Sequence, residues 1–215
     1  MLIQRQPAVA RRATGGFTLV EMMVALTLGL LVVSAVLAFI FSLIRANSET
    51  VLSTRLNQEL RATMAVVTSE VRRARGLSDP ISYVGHGGNA NNFKAITISA
   101  GSDCIEYGYD YAATVPVPAN YRPYRAIRLN NGTIELASGA TRAAAECDDA
   151  GSALNSNAIE ITRFSVTRDA LNKRFVNVEI TARLRKPPAY MKSTPAMAIT
   201  TKTMRQTISV RSNES

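Results

Sequence analysis

The chain is short of the side chains that most catalytic and metal sites require. Its 215 residues contain one histidine, His86, and two cysteines, Cys104 and Cys147, which lie far apart and form no CxxC pair. Zinc and thioredoxin-type sites need such groups at close spacing, so neither is expected. A Ser-His-Asp triad would depend on a histidine set among glycines in YVGHGGNANN. Because general acid–base chemistry has so few candidates here, we expect no enzyme, no catalytic residue and no bound metal or cofactor.

Charge is missing from one long stretch near the N-terminus. Residues 1–16 carry Arg5, Arg11 and Arg12 and no acid, and the stretch from Met22 to Phe41 carries no charge. About 20 apolar residues are enough to cross the hydrocarbon core of a bilayer. The positive-inside rule keeps arginines before such a span in the cytoplasm. We therefore expect one membrane-spanning helix, with everything after residue 44 outside the inner membrane.

A single acidic residue, Glu21, stands at the start of this segment and separates three interpretations. One is a secretory signal cut after Ala38, one is an uncleaved signal anchor, and one is a processing site between Gly16 and Phe17. A carboxylate gains nothing in a plain anchor. Helix capping would tolerate it, because TLVE, which begins at Thr18, has the spacing of a capping box. Capping leaves the two preceding glycines unexplained.

The segment GGFTLVEMMVAL resembles the class III leader of type IV pilins and of the pseudopilins of type II secretion. The resemblance implies that a membrane peptidase cuts after Gly16 and methylates the new amine of Phe17, with S-adenosylmethionine as the methyl donor of the peptidase. It also places the glutamate of the family's fifth mature position at Glu21. That carboxylate would pair with the Phe17 amine of a neighbouring subunit, since an unpaired charge in a low dielectric is strongly penalised.

Proline is absent between Phe17 and Asp79, so the helix that starts in the membrane is predicted to continue without a sharp kink. Beyond residue 45, apolar side chains recur every three or four residues, as on one face of a helix. These are Leu52, Leu56, Leu60, Met64, Val67 and Val71. The other face is charged and includes Glu70. We expect the apolar face to pack on the protein's own sheet.

The helix is predicted to run from Phe17 to about Arg75. Arginines crowd its last turn, where cations suit the helix dipole, and Gly76 follows as a C-terminal cap. The expected divisions of the chain are a leader peptide at 1–16, a transmembrane half of the helix at 17–44, an amphipathic half at 45–76 and a β-rich periplasmic head domain at 77–215.

The remainder of the chain alternates as β-strands do. Asn131-Gly132 is a favoured two-residue turn and predicts a hairpin in RAIRLNNGTIELAS. Its register pairs Leu129 with Ile134, Arg128 with Glu135, and Ile127 with Leu136. A phase slip in AIEITRFSVTR predicts a bulge near Thr162-Arg163. With FVNVEITARL, TMRQTISVR and CIEYGYDY as further strands, the fold class is α+β, with a long helix packed on an antiparallel β-sheet. This is also the pilin-like fold that the resemblance implies.

The two cysteines and the alternating tyrosines of the head each favour one structural arrangement over another. The exported side of the membrane is oxidising, which favours a disulfide between Cys104 and Cys147 over two free thiols. In the chain-entropy model the bond would be worth up to about 4 kcal/mol. The alternating tyrosines of CIEYGYDY are expected to lie on the sheet face that packs on the helix rather than on an exposed stacking surface.

The positive charge of the chain is spread rather than concentrated. The formal net charge is +9, of which the leader arginines supply three, leaving +6. Phosphate contacts need only distributed cations, but nucleic-acid sites usually combine a concentrated basic patch with aromatic residues. We therefore do not expect nucleic acid as a partner.

Within the family, the chain is most similar to PilW-type minor pilins, with the J-type pseudopilins of type II secretion as the alternative. The resemblance implies a structural subunit that helps to prime pilus assembly near the tip, with roles in adhesion, twitching motility or DNA uptake. Implied partners are the prepilin peptidase/methyltransferase, other minor pilins, the major pilin, the inner-membrane assembly platform and the lipid bilayer. The implied location is the bacterial inner membrane, as a single-pass protein with a periplasmic C-terminal domain, and then the extracellular pilus or the periplasmic pseudopilus. A bitopic inner-membrane receptor or binding protein is a further alternative, and it predicts an uncut N-terminus.

Overall fold

The computed structural model describes residues 16–76, 93, 95–110, 119–172, 174–188 and 201–210. The leader up to residue 15, His86 and Tyr111 lie outside these ranges. The chain forms two compact units, Met1–Ser48 and Glu49–Ser215.

One helix, α1 (Leu19–Arg73), accounts for nearly all of the described residues between positions 16 and 76. It begins two residues after the predicted start and ends two residues before the predicted end. The prediction that Gly76 forms the cap was wrong in one respect, because the left-handed residue is Arg75, with φ of 63°. Gly76 still closes the helix, since its N–H donates to the Arg73 carbonyl at 2.8 Å. A β-carbon at Gly76 would lie 2.9 Å from that oxygen, so the glycine is needed for close approach.

In the unit Met1–Ser48, no described residue covers the apolar surface of the helix. Its large apolar side chains are all exposed, from 43% at Ile40 to 76% at Leu19. By length and composition, α1 qualifies as a membrane-spanning helix near the N-terminus, and it is the one such helix among the residues described. This stretch therefore matches the predicted transmembrane half.

In the unit Glu49–Ser215 one face of the same helix is buried. The buried helix residues repeat at three- and four-residue spacing: Leu56, Leu60, Thr63, Met64, Val67, Thr68 and Val71. The apolar residues among them join the main core with residues from the strands, such as Ile105, Ile127 and Ile180. The amphipathic pattern in the sequence thus marks a helix that packs on its own sheets.

The first sheet has five antiparallel strands in chain order. They are β1 (Thr97–Ile98), β2 (Cys104–Gly108), β3 (Tyr124–Asn130), β4 (Thr133–Gly139) and β5 (Ser152–Ala153). The predicted hairpin is confirmed in register, with Arg128 opposite Glu135 and its two apolar pairs on either side. Asn131 and Gly132 both have positive φ, 45° and 77°, as the tight turn requires.

The second sheet has three antiparallel strands. They are β6 (Ile159–Arg168), β7 (Phe175–Leu184) and β8 (Thr201–Ser209). The predicted bulge is confirmed, because the β6–β7 register shifts between Ile161 and Arg163. The shift keeps Ile161 before it and Phe164 after it both buried in the core.

The division into two sheets differs from the single sheet that the sequence predicts. Individual hydrogen bonds join the sheets, from Ile161 N–H to the Gly132 carbonyl at 2.9 Å and from Val166 N–H to the Ser102 carbonyl at 2.7 Å. The β2 strand also ends earlier than predicted, at Gly108. The Gly108 carbonyl accepts from Arg75 N–H at 2.8 Å, so the end of the helix occupies the strand's next bonding position.

Candidate functional site

The predicted processing bond lies before α1, outside regular secondary structure. Gly16, Phe17 and Thr18 precede the helix and are exposed. A β-carbon at Gly16 would meet nothing within 4 Å. The peptide bond between Gly16 and Phe17 therefore lies in open, non-helical chain, where an enzyme can reach it without unwinding a helix.

The first turn of α1 is capped from within. The Glu21 N–H donates to Thr18 Oγ1 at 3.2 Å, and the Met22 N–H donates to the Thr18 carbonyl at 3.2 Å. Thr18 thus occupies the N-cap position and Glu21 the third helical position, which is half of a capping box. The local capping predicted from TLVE is present, and the backbone bond leaves the Glu21 carboxylate unused.

The Glu21 carboxylate has no cation within 4.0 Å among the residues that the structure describes. The next charged residue along the helix is Arg45. Other polar groups in this stretch bond their own helix, with Thr27 Oγ1 donating to the Val24 carbonyl at 2.9 Å and Ser34 in the same pattern. Glu21 is therefore the one charged group that this half of the helix offers to a partner.

A second feature lies on the outer face of the first sheet. The structure joins Cys104 to Cys147 as the sequence favours, with their Cα atoms 5.9 Å apart. The bond ties the loop that follows β4 to a small apolar cluster of Cys104, Ala126 and Ala137. A short 3-10 helix, Arg142–Ala144, lies in the same loop. The loop is thus fastened across the sheet face that does not meet the helix.

Polar bonds hold the same loop in place. Arg128 donates to the Cys147 carbonyl at 3.0 Å and forms an ion pair with Glu135 at 3.0 Å. The Cys147 N–H donates to Glu106 Oε1 at 3.1 Å. Burial alone would raise the pKa of Glu135, but hydrogen bonds from Arg128 and Asn130 lower it below its ordinary value. The charged pair predicted on the hairpin therefore also anchors the disulfide loop.

Two tyrosines, one in β2 and one directly after it, contact the helix. Tyr107 and Tyr109 are buried, with ring centroids 6.4 Å apart. Their hydroxyls donate to Glu70 Oε2 at 3.5 Å and 3.4 Å. Burial and the Glu70 carboxylate raise the pKa of Tyr107 well above its ordinary value. These two rings face the helix as predicted, whereas Tyr111 lies outside the described residues.

Glu70 was predicted on the solvent face of the helix, and the structure shows this to be wrong. Its side chain is only 13% exposed and forms an ion pair with Arg73 at 3.0 Å. The helical pattern places Glu70 beside Val71 at the edge of the apolar face, where a long side chain can turn inward. An acid next to a buried stripe and a tyrosine pair elsewhere in the chain are the signals that could have suggested this contact. No group of histidine, cysteine or acidic side chains within the described ranges could hold a metal ion.

Comparisons with known proteins identify both parts of the chain. Residues 49–206 match the family described as Prepilin peptidase-dependent protein B, and residues 11–37 match the Prokaryotic N-terminal methylation motif. Among solved structures, a type IV-like pilin from Thermus thermophilus is 10% identical, with 73% of this chain and 96% of that chain covered and a TM-score of 0.40. The comparison with curated proteins finds no match.

Proposed function

Because the chain belongs to the Prepilin peptidase-dependent protein B family, and is thus a type IV pilin-like protein, we propose that it is a minor pilin that helps to prime assembly of a type IV pilus near its tip. One observation supports this most. The open Gly16–Phe17 bond, the Glu21 carboxylate and a charge-free helix follow one another within the matched methylation motif. The function follows from processing and assembly, so the chain acts as a structural subunit rather than an enzyme.

The first step is removal of residues 1–16. The peptidase cuts after Gly16, which leaves Phe17 as the new N-terminus, and then methylates its amine with S-adenosylmethionine as the methyl donor. The exposure of both residues outside the helix supports this step. The cut places a cationic amine one helical turn before Glu21.

The second step is assembly. Glu21 of one subunit pairs with the Phe17 amine of a neighbour when their helices come together. Removing one member of a buried charge pair leaves the other uncompensated, which costs about 3–5 kcal/mol. Helices that bundle out of register would leave both charges unpaired. The absence of a cation near Glu21 in the described part of this chain supports a partner from another subunit.

Membrane orientation follows from the arginines before the helix. Arg5, Arg11 and Arg12 keep the N-terminus in the cytoplasm. The head then lies in the periplasm, where a disulfide persists. The Cys104–Cys147 bond supports this side of the membrane. Before assembly, the subunit waits in the inner membrane with the apolar half of α1 in lipid.

Intact mass and N-terminal sequencing of protein purified from its native membrane test the processing step. We expect a chain that begins at methylated Phe17. A Gly16→Leu variant should remain uncut, whereas Gly15→Ala should be cut normally and serves as the matched control. A wild-type chain beginning at Phe39 would mean an ordinary secreted protein. One beginning at Met1 would mean a signal anchor, and both results overturn the proposal.

Glu21→Gln tests the assembly step separately from processing. The variant should be cut and methylated as in wild type, yet enter filaments at least tenfold less, because the neighbouring amine loses its partner. Glu49→Gln, on the same helix beyond the apolar stretch, is the control and should assemble normally. Normal assembly of Glu21→Gln would remove the proposed charge pair.

Two other functions differ in their consequences for the cell. A pseudopilin of type II secretion predicts that deletion abolishes secretion and leaves twitching motility intact. Our proposal predicts the reverse. A bitopic binding protein predicts that neither changes and that the N-terminus stays uncut.

A further inference from the structure

Strand β8 is an open edge of the second sheet. Over the strands that the structure describes, its nine residues pair with β7 on one side and with nothing on the other. At about 3.3 Å per residue the edge is about 30 Å long. Unpaired strand edges present a row of backbone donors and acceptors, and they are ready templates for another strand.

A groove runs between this edge and the flank of α1. It encloses about 640 Å³ and is lined from the helix by Arg61, Met64, Ala65, Thr68, Ser69 and Arg72, and from β8 by Met204 and Gln206. Two methionines and Ala65 form its apolar part, and the other lining residues on the helix side are small or basic: Arg61, Thr68, Ser69 and Arg72. A strand added beside β8 would therefore extend the sheet beneath the helix.

The charge of the groove has one sign. Arg61 and Arg72 stand on its helix side, and Lys202 shares a face of β8 with Met204. None of the three cations forms an ion pair within the described ranges. The opposite face of the same sheet contrasts with this, because Arg183 bonds Glu160 at 3.0 Å. Unpaired cations around an apolar groove complement a segment that carries carboxylates.

We propose that β8 receives an extended acidic segment of a neighbouring subunit as an added strand. The backbone of that segment bonds the free edge, an apolar side chain contacts Met64 and Met204, and flanking carboxylates reach Arg61 and Arg72. Strand addition takes its affinity from main-chain bonds and its specificity from alternate side chains. The inference rests on the proposed function only for the source of the segment.

Protection of the edge strand from unwanted pairing is an alternative role for the cations, but it accounts for fewer of them. Lysine and arginine on an edge strand discourage unwanted pairing, which would account for Lys202 and Arg205. It does not account for Arg61 and Arg72, which lie on the helix. These two are 11 positions apart, or about 16 Å along the helix axis, which matches the span of about five strand residues.

Peptide binding to the full chain in detergent micelles tests the groove. The probe is TETVTVTET, whose even positions present two valines between two glutamates on one face. Two matched probes carry the same side chains with backbone N-methyl groups on the odd or on the even residues. We expect one methylated form to lose binding and the other to keep it, because an added strand bonds through one edge. Equal binding of both, or no binding of the unmodified probe, overturns strand addition.

Charge-reversal variants test the cations. Arg61→Glu combined with Arg72→Glu should weaken binding of the probe at least tenfold, since attraction becomes repulsion. Arg174→Glu combined with Arg185→Glu makes the same change in net charge at the two ends of β7 and should bind as wild type does. Equal weakening by both pairs would mean a general charge effect and would overturn the groove's role.

A photo-crosslinking amino acid at position 206 tests the source of the segment in cells. We expect a crosslink to another pilin-like subunit that disappears in the double variant at Arg61 and Arg72. A crosslink within one chain would mean that the protein's own tail covers the edge, and would overturn the intermolecular proposal. Peptide binding does not require leader cleavage, so failure of the processing proposal remains distinguishable.

Discussion

The two halves of α1 are both helical, but they differ in how far the rest of the chain buries their apolar side chains. Leu30, in the first half, is 62% exposed, and Leu60, in the second, is 1% exposed. Both belong to one helix of 55 residues. The second half is amphipathic and finds its partners within the chain, whereas the first is apolar on every side. A helix that is apolar all round needs lipid or other helices around it.

The two halves differ in whether this chain itself supplies the residues that pack against them. The head forms its own core, a disulfide and several ion pairs between its strands. The apolar half has one capped end and one carboxylate. Its exposed apolar surface is larger than a protein normally leaves in contact with water. Under the proposed function, a bilayer covers this surface first and neighbouring subunits cover it after assembly. Substitutions matched across the two halves separate these roles.

The largest expected effect comes from matched truncations along the helix. Leu60→Ala should lower the free energy of unfolding of the head by about 2–5 kcal/mol, because it leaves a cavity in the core. Leu30→Ala should leave it within about 0.5 kcal/mol. Urea titration of the full chain in detergent, followed by near-ultraviolet circular dichroism, measures both. Similar losses for the two variants would contradict the division of the helix.

Removal of the disulfide should have the next largest effect on the stability of the head. Replacing both Cys104 and Cys147 with serine should cost the head about 2–4 kcal/mol, since the unfolded chain gains freedom. Reduced wild-type protein should match the variant in the same urea titration. Insertion of the apolar half into membranes, measured by carbonate extraction, should not change. A loss of insertion would show that the halves are not independent.

Substitutions at two glycines, one in each half of the comparison, should have smaller effects on stability. Gly132 has φ of +77°, and a β-carbon there would lie 2.7 Å from Glu160 Cγ, whereas a β-carbon at Gly29 meets nothing within 4 Å. Gly132→Ala should destabilise the head by about 1–2 kcal/mol. Gly29→Ala should not. Thermal unfolding of both variants in the same detergent decides the matter, and an unaffected melting temperature for Gly132→Ala would contradict the turn geometry.

Acid should produce the smallest effect, confined to the head. Hydrogen bonds from Arg183 lower the pKa of Glu160, and Arg128 acts likewise on Glu135. A carboxyl whose folded pKa is depressed stabilises the fold above its unfolded pKa, about 4.3 for glutamate, and loses that stabilisation as pH falls through the folded value.

Each pair should contribute less than about 1 kcal/mol, given its partial exposure. Stability measured from pH 6 down to pH 2 should fall less steeply in Glu135→Gln and Glu160→Gln than in wild type. Glu49→Gln, whose carboxyl is paired with no arginine in the described residues, is the control. An unchanged slope in the first two variants would remove these pairs as the cause.

Local patterns were enough to predict much of the head. The Asn131-Gly132 turn determines the register of β3 and β4 because two residues with positive φ permit few other connections. The phase slip before Phe164 located the bulge, since a strand cannot otherwise bury both halves of its pattern. The amphipathic stripe likewise identified the buried helix face.

Such local patterns could not predict contacts between distant parts of the chain. Alternation does not say which strands are neighbours, so the division into two sheets was missed. The left-handed conformation of Arg75 arises because its N–H bonds the Gly108 carbonyl, a contact more than thirty residues away. The inward turn of Glu70 depends on the hydroxyls of Tyr107 in β2 and of Tyr109 just after it. Charge alone made Glu70 look like a solvent-facing residue.

The Cys104–Cys147 bond also has a mechanical consequence. It encloses β3 and β4 in a loop whose ends are 43 residues apart in sequence and 5.9 Å apart in space. Fully extended, that loop would span about 140 Å. A pulling force applied at the two ends of the head passes through the bond and bypasses this stretch entirely. Under tension the oxidised subunit can therefore lengthen by about 140 Å less than the reduced one, which limits how far a loaded head could be drawn out before it breaks.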